Sequence, residues 1–293
     1  MTLAQILQFT FSGLTLGCIY GLVALGFTII FNATGIVNFA QGDFVMLGAL
    51  LTATFVTQLA MPLLTGIALA VLCVGLIGAL MERLLIHGLK NDKNLFASVM
   101  LTLAASIVLN AGALLLWGAD PHHVNAFSGE KPIAVHGATL LPQMIWIAGG
   151  VALVMGLLIT FFKATWLGQA MLASSMNRDA AAAMGVNVSN MMLLSFACSA
   201  AIGGFGGALV APIAMATHDM GGLMTLKGFT AAILGGLGSV PGALIGGLLL
   251  GLLESLSSGF ISSGYRDAIA LALLLVFLMV KPSGLAGVKI TKH

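Results

Sequence analysis

Apolar residues run through this chain in long continuous stretches, without the strict apolar–polar alternation of a half-buried strand. Charged side chains are absent from residues 1–42, 44–81, 94–119, 132–162, 180–218, 228–253 and 268–280. A helix needs roughly 20 apolar residues to cross about 30 Å of hydrocarbon. On that length, the pattern predicts membrane segments at 8–31, 36–58, 62–86, 95–117, 142–163, 190–216, 226–257 and 266–281, with 226–257 interrupted. A transmembrane β-barrel would instead show segments of about ten residues alternating outward and inward. The expected fold is therefore all-α: a polytopic transmembrane helical bundle of about eight segments, one broken or re-entrant, forming a single domain over residues 1–293.

Composition identifies the solvent. Of 293 residues, 59% are apolar and only 20 are charged, 11 basic and 9 acidic. An average soluble domain of this length would carry about 73 charges. So few cannot clothe a water-exposed surface, which excludes an ordinary soluble enzyme, a nucleic-acid binder and a disordered chain. The N-terminus lacks a basic stretch and its apolar run outlasts a signal h-region, so no cleavable signal peptide is expected. Cys18, Cys73 and Cys198 fall in apolar segments and read as small buried hydrophobes.

Lys and Arg in connections mark the cytoplasmic side. Arg83, Lys90 and Lys93 lie in one connection, Lys163 and Arg178 in a second, and Lys281, Lys289 and Lys292 in the tail. Residues 118–141 balance Asp120 and Glu130 against Lys131 and are expected outside. An outer N-terminus and inner C-terminus require an odd number of crossings, so one segment must be re-entrant or split, and 226–257 is the candidate.

Three segments depart from plain apolar helix. Residues 226–257 contain Gly235, Gly236, Gly238, Ser239 and Pro241, which break the backbone. Freed polar groups inside a membrane cost several kcal/mol each unless buried in protein or facing a watery cavity. This break either lines a substrate path, as broken transporter helices do, or is a loop at the membrane surface. Residues 35–44 place Asn38, Gln41 and Asp43 among apolar neighbours. A carboxylate at the bilayer centre costs about 2.5–3.5 kcal/mol, so Asp43 either lies near an interface, caps the following helix, or faces an aqueous path. In the inner connection at 165–190, Ser174, Ser175 and Asn177 offer caps, Asp179 adds negative charge, and four alanines precede Gly185. A helix of about 174–185 with a polar face either docks on a soluble partner or lies on the membrane. Glycines four apart, at 13, 17 and 21, 203 and 207, 242 and 246, and 247 and 251, predict close helix packing.

Catalytic constellations are missing. No G-x-x-x-x-G-K-[ST], H-E-x-x-H or G-x-S-x-G occurs, and no metal site is expected. His122 and His123 lie in the outer connection, while His87, His136, His218 and His293 stand apart. Glu82 with Arg83 and Arg266 with Asp267 read as charges at helix ends. No series of Asp, Glu or His runs through the segments, so energy must come from outside this chain.

With these residues in view, the sequence resembles the LivH-type permeases of branched-chain amino acid ATP-binding-cassette importers. The resemblance is carried by 13–17, 22–26, and Asn38-Phe39-Ala40-Gln41-Gly42-Asp43-Phe44. It continues in Asn177-Arg178-Asp179, Met184-Gly185-Val186-Asn187, 196–200, Leu234-Gly235-Gly236-Leu237-Gly238-Ser239-Val240-Pro241-Gly242 and Lys281-Pro282-Ser283-Gly284-Leu285-Ala286-Gly287. Two departures from that pattern stand out: Gln41 stands where the family usually has His, and near Met171 or Leu172 the family often has a basic residue. Gln can replace a histidine hydrogen bond but cannot titrate.

The resemblance implies a transport subunit of the bacterial inner membrane, without its own ATPase. It implies pairing with a related LivM-type permease, two cytoplasmic ATPase subunits using ATP and Mg, and a periplasmic amino-acid-binding protein. No cofactor is expected on this chain. The helix at 174–185, with Asn177, Arg178, Asp179, Met184 and Gly185, is implied to couple to an ATPase. Asn38, Gln41, Asp43, Gly235, Gly236, Gly238 and Ser239 are the expected path or gate residues. The same scaffold importing urea, short amides or other amino acids is the alternative cargo; a stand-alone channel or facilitator is the alternative of another class.

Overall fold

A computed structural model describes residues 3–86, 95–129, 131–135 and 137–260, together with 264, 268, 271–272, 275–277, 279, 281 and 284–286. Helix α1 (Leu3–Thr34) is followed by a non-helical segment, 35–40, and by α2 (Gln41–Thr52), which continues as a π-helix over Ala53–Gln58. Helix α3 (Leu63–Met81) also ends in π-helical turns, Glu82–Ile86, and α4 spans Leu95–Trp117. A small antiparallel hairpin, β1 (Ile133–Val135) and β2 (Ala138–Leu140), leads into α5 (Pro142–Ala164). The short α6 (Trp166–Met176) and α7 (Arg178–Ala183) precede α8 (Val188–Ala214), α9 (Met220–Gly235) and α10 (Val240–Phe260).

Six described helices, α1, α3 with its π-turn, α4, α5, α8 and α10, are long and apolar enough to cross a membrane; α9 is a shorter apolar helix. Helices α1 and α8 are largely buried and form the centre, whereas α3, α4 and α5 turn most of their surface outward. Their outward faces carry Leu64, Leu72, Leu76, Ile107, Val108, Leu115 and Leu157, as lipid contact demands. The chain is a polytopic all-α membrane bundle.

Lipid offers no hydrophobic drive between helices, so close backbone packing must hold the centre together. Gly13, Gly17 and Gly21 of α1 lie against Leu252, Leu248 and Leu244 of the antiparallel α10, and Gly247 and Gly251 of α10 lie against the α1 backbone in return. A Cβ at Gly17 would sit 2.7 Å from Leu248 Cα. Gly207 of α8 meets Val45 and Ala49 of α2, and Gly246 of α10 meets Ala231 and Gly235 of α9. The four-residue glycine spacing is thus a packing device.

Contacts between elements define two ends. At one, Gln8 near the start of α1 accepts hydrogen bonds from Thr139 N and Oγ1 of the hairpin (2.8 and 3.0 Å). At this hairpin end, His122 and Ala216 exchange backbone hydrogen bonds of 2.9 Å, joining the connections after α4 and α8. At the other, elbow end lie the close of α1, the α6–α7 elbow, the α9–α10 turn and residues 284–286.

Several expected boundaries are corrected. Residues 226–257 are split, as one of the expected alternatives had it, but α9 begins earlier, at Met220, and α9 and α10 form an antiparallel pair. Gly236 (φ 100°) and Gly238 (φ 95°) reverse the chain, a conformation that favours glycine. Residues 36–58 are not helical throughout, because 35–40 is extended and turned. The inner helix is not continuous over 174–185: Asn177 is extended (φ −153°, ψ 107°) and separates α6 from α7. Of the expected segment 266–281, the described residues 268, 271–272, 275–277 and 279 are helical; the remainder except Lys281, with Arg266 and Asp267, lies outside the described residues. So do His87, Lys90, Lys93, Glu130, His136, Pro282, Ser283, Gly287, Lys289, Lys292 and His293. The three cysteines are free.

Candidate functional site

Asn38, Gln41 and Asp43 come together inside the bundle. Helix α2 does not start at the end where α1 stops: Gln41 lies against Gly26, eight residues before Thr34, or about 12 Å along α1. The segment 35–40 therefore folds back into the protein, and its backbone groups must find partners there. Thr102 Oγ1 of α4 accepts from Phe39 N (3.3 Å). Thr225 Oγ1 of α9 accepts from Gly42 N (3.0 Å) and donates to Phe39 O (3.2 Å). Asn38 Oδ1 accepts from Ala40 N (3.1 Å), so Asn38 tightens the turn that starts α2.

Gln41 is fully buried and bound on both sides of its amide. Nε2 donates to Ser199 O (3.3 Å), and the Ser199 hydroxyl lies 2.8 Å from both Gln41 Oε1 and Gly26 O. This clasp ties α1, α2 and α8 without a titrating group. Asp43, 1% exposed, sits in the first turn of α2 rather than at its cap, where the helix dipole favours a carboxylate. Its Oδ1 packs on Gly221 of α9, and it faces Ser106 of α4. Among the described residues, Asp43 Oδ2 and Asn38 Nδ2 have no hydrogen-bond partner.

Gly235, Gly236, Gly238 and Ser239 lie elsewhere, at the elbow end. Ser239 Oγ accepts from Gly242 N (3.1 Å) and opens α10. Asn32 Nδ2 of α1 donates to Gly238 O (2.9 Å), while Leu285 N and Ala286 N donate to Leu234 O and Gly235 O (both 2.9 Å). Beside the turn is a cavity of about 410 Å³, bounded by the ends of α1 and α5 (Asn32, Lys163), by α6 (Met171, Ser175) and by Ser239 and Pro241.

All five expected coupling residues, Asn177, Arg178, Asp179, Met184 and Gly185, are exposed. Asn177 Oδ1 caps α7 by accepting from Ala180 N (2.9 Å), whereas Ser174 and Ser175 bond back to α6 carbonyls. Gly185 (φ 87°) ends the turn after α7, and Asn187 Oδ1 caps α8. Met176 and Met184 are 79% and 74% exposed, apolar side chains on an outward elbow. Arg178 reaches inward: Nη2 donates to Ala33 O (3.2 Å), a free carbonyl at the end of α1.

One cluster escapes sequence reasoning. Lys227 of α9 and Glu254 of α10 form an ion pair of 2.7 Å, with Glu254 fully buried. Tyr20 of α1 donates to the same carboxylate oxygen (3.2 Å), and the Lys227 ammonium lies 5.4 Å from its ring centroid. Reading 235–241 as a helix-reversing turn rather than a break would have brought these residues towards each other, Lys227 eight residues before Gly235 and Glu254 thirteen after Pro241.

A glycine-packed bundle of apolar helices with buried polar clasps, a buried ion pair and an outward elbow defines a polytopic helical membrane protein. Comparison with known proteins gives the particular family. Residues 9–278 match the family described as "Branched-chain amino acid transport system / permease component", and the chain belongs to it. It is 32% identical over 298 residues to the high-affinity branched-chain amino acid transport system permease protein LivH of Salmonella typhimurium, covering 96% of this chain and 95% of that one. It is 30% identical over 296 residues to BraD of Pseudomonas aeruginosa, a permease protein of the same description, with the same coverage. Among solved structures, PsaBC from Streptococcus pneumoniae in complex with Fab matches with a TM-score of 0.49 and 17% identity, over 93% of this chain and 91% of that one.

Proposed function

We propose that this chain forms part of the translocation path of an ATP-binding-cassette importer for branched-chain or other hydrophobic amino acids, in the bacterial inner membrane. The observation that carries this reading is the family match along nearly the whole chain. A related LivM-like permease completes the path, two ATPase subunits hydrolyse ATP with Mg, and a periplasmic protein delivers the substrate. The elbow end faces the cytoplasm. In support, Lys163, Arg178 and Lys281 lie there, as the positive-inside rule requires, while the start of α1 packs at the hairpin end. Met176, Asp179 and Met184 on the elbow form the ATPase contact.

Transport then alternates between two packings of the bundle, with ATP in the partners shifting their populations. The clasps around Gln41 and the turn at 236–239 are the elements whose rearrangement opens one side or the other. Leucine uptake into proteoliposomes tests this directly. It should require the paired permease, ATPases, ATP and loaded binding protein together. Leucine flux through vesicles holding this chain alone would replace the importer with a facilitator, and ATP-driven uptake of urea or short amides in place of leucine would change the cargo.

A further inference from the structure

Two neighbouring residues at the end of α1 hold two different elements. Ala33 O accepts from Arg178 of the elbow, and Asn32 Nδ2 donates to Gly238 O of the α9–α10 turn. The first bond places a cation on the negative end of a 32-residue helix, where both dipole and unpaired carbonyls favour it. The second binds the carbonyl of Gly238, the latter of two glycines of positive φ, in a turn whose other side is fastened to residues 285 and 286. The approximately 410 Å³ cavity separates parts of α5 and α6 from the close of α1 and from this turn.

We propose that the last turn of α1 is the relay through which movement of the α6–α7 elbow reaches the α9–α10 turn, with Arg178 and Asn32 as its two positioning residues. A displaced elbow pulls on Ala33 through the guanidinium. Asn32, one residue away on the same rigid turn, carries the displacement to Gly238, and the glycine contacts between α1 and α10 keep those helices in step. Arg178 therefore acts inward, on its own subunit, while the exposed methionines face the partner. This inference rests on the proposed docking of an ATPase on the elbow.

The test uses the assembled importer in proteoliposomes, with Asn32→Ala, Arg178→Ala, Arg178→Lys and the double alanine variant. Each single alanine variant should lower leucine taken up per ATP hydrolysed by roughly fivefold or more, the range of site-to-site coupling, while ATP hydrolysis continues. The double variant should be no worse than the poorer single, because both bonds belong to one chain of contacts. Arg178→Lys, which keeps a cation at the helix end, should recover part of the loss. In a Val240→Cys background, thiol labelling should differ between nucleotide-free and ATP-bound complexes, and Asn32→Ala should abolish that difference. Multiplicative losses in the double variant, or labelling that still follows nucleotide in Asn32→Ala, would overturn the relay alone. A wild-type chain that fails to bind the ATPase would overturn the functional reading, and the relay with it.

Discussion

Removing either partner of the Lys227–Glu254 pair should destabilise the bundle at least as much as removing both, and removing Lys227 alone should cost the most. At 2.7 Å and an effective dielectric constant of 20, the two charges attract by about 6 kcal/mol. Desolvation offsets much of this, so the pair itself contributes little, but an orphaned charge costs about 3–5 kcal/mol. Lys227 retains 15% side-chain exposure and can move its ammonium toward polar surroundings, which places Glu254→Gln near 3 kcal/mol. Glu254 has no exposure, which places Lys227→Met near 5 kcal/mol. The double variant should cost about 3 kcal/mol or less, a coupling of several kcal/mol. Equilibrium unfolding in mixed micelles, followed by tryptophan fluorescence, measures all four corners of the cycle. Single losses that add to within about 0.5 kcal/mol would refute the pairing and its position between α9 and α10.

Gly17→Leu should separate α1 from α10 and cost about 3 kcal/mol or more through overpacking, seen as loss of the monodisperse peak in size-exclusion chromatography. Gly149→Leu, at a position of α5 with open space around it, should leave that peak intact. Met184→Asp, on a side chain 74% exposed, should change the stability of the isolated chain by no more than about 0.5 kcal/mol. Co-purification of the ATPase should fall at least about tenfold in the same variant, as for a side chain central to an interface.

The helical bundle was legible because lipid-facing and core-facing positions alike must be apolar, and the charge-free stretches delimit most of the helices. Glycine spacing was legible as packing for the same reason: Gly13, Gly17 and Gly21 have no other use on one face of a helix. Chain direction was not. A glycine–proline break reads alike whether the helix resumes or reverses, and only the positive φ of Gly236 and Gly238 decides it. That ambiguity concealed Lys227 and Glu254, which stand near opposite ends of the expected segment 226–257. Nor could spacing reveal that Gln41 is clasped by Ser199, since the two are 158 residues apart. The capping residues of the elbow were readable, but Asn177 rather than Ser174 does the work, because both serines are satisfied by their own helix.

The folded-back segment before α2 has a consequence for how the protein is made. The amides of Phe39 and, in the first turn of α2, Gly42 are satisfied by Thr102 and Thr225, and Thr225 follows Gly42 by 183 residues. At about 5–20 residues per second, roughly 10–40 s of synthesis pass between the two. During that interval 35–40 cannot occupy its final depth, since its polar backbone would face hydrocarbon unpaired. The second segment must therefore wait at the membrane surface or against the insertion machinery, and settle only after α9 has been delivered. Biogenesis is not a march of helices in chain order: one of the first pieces made is one of the last to be seated.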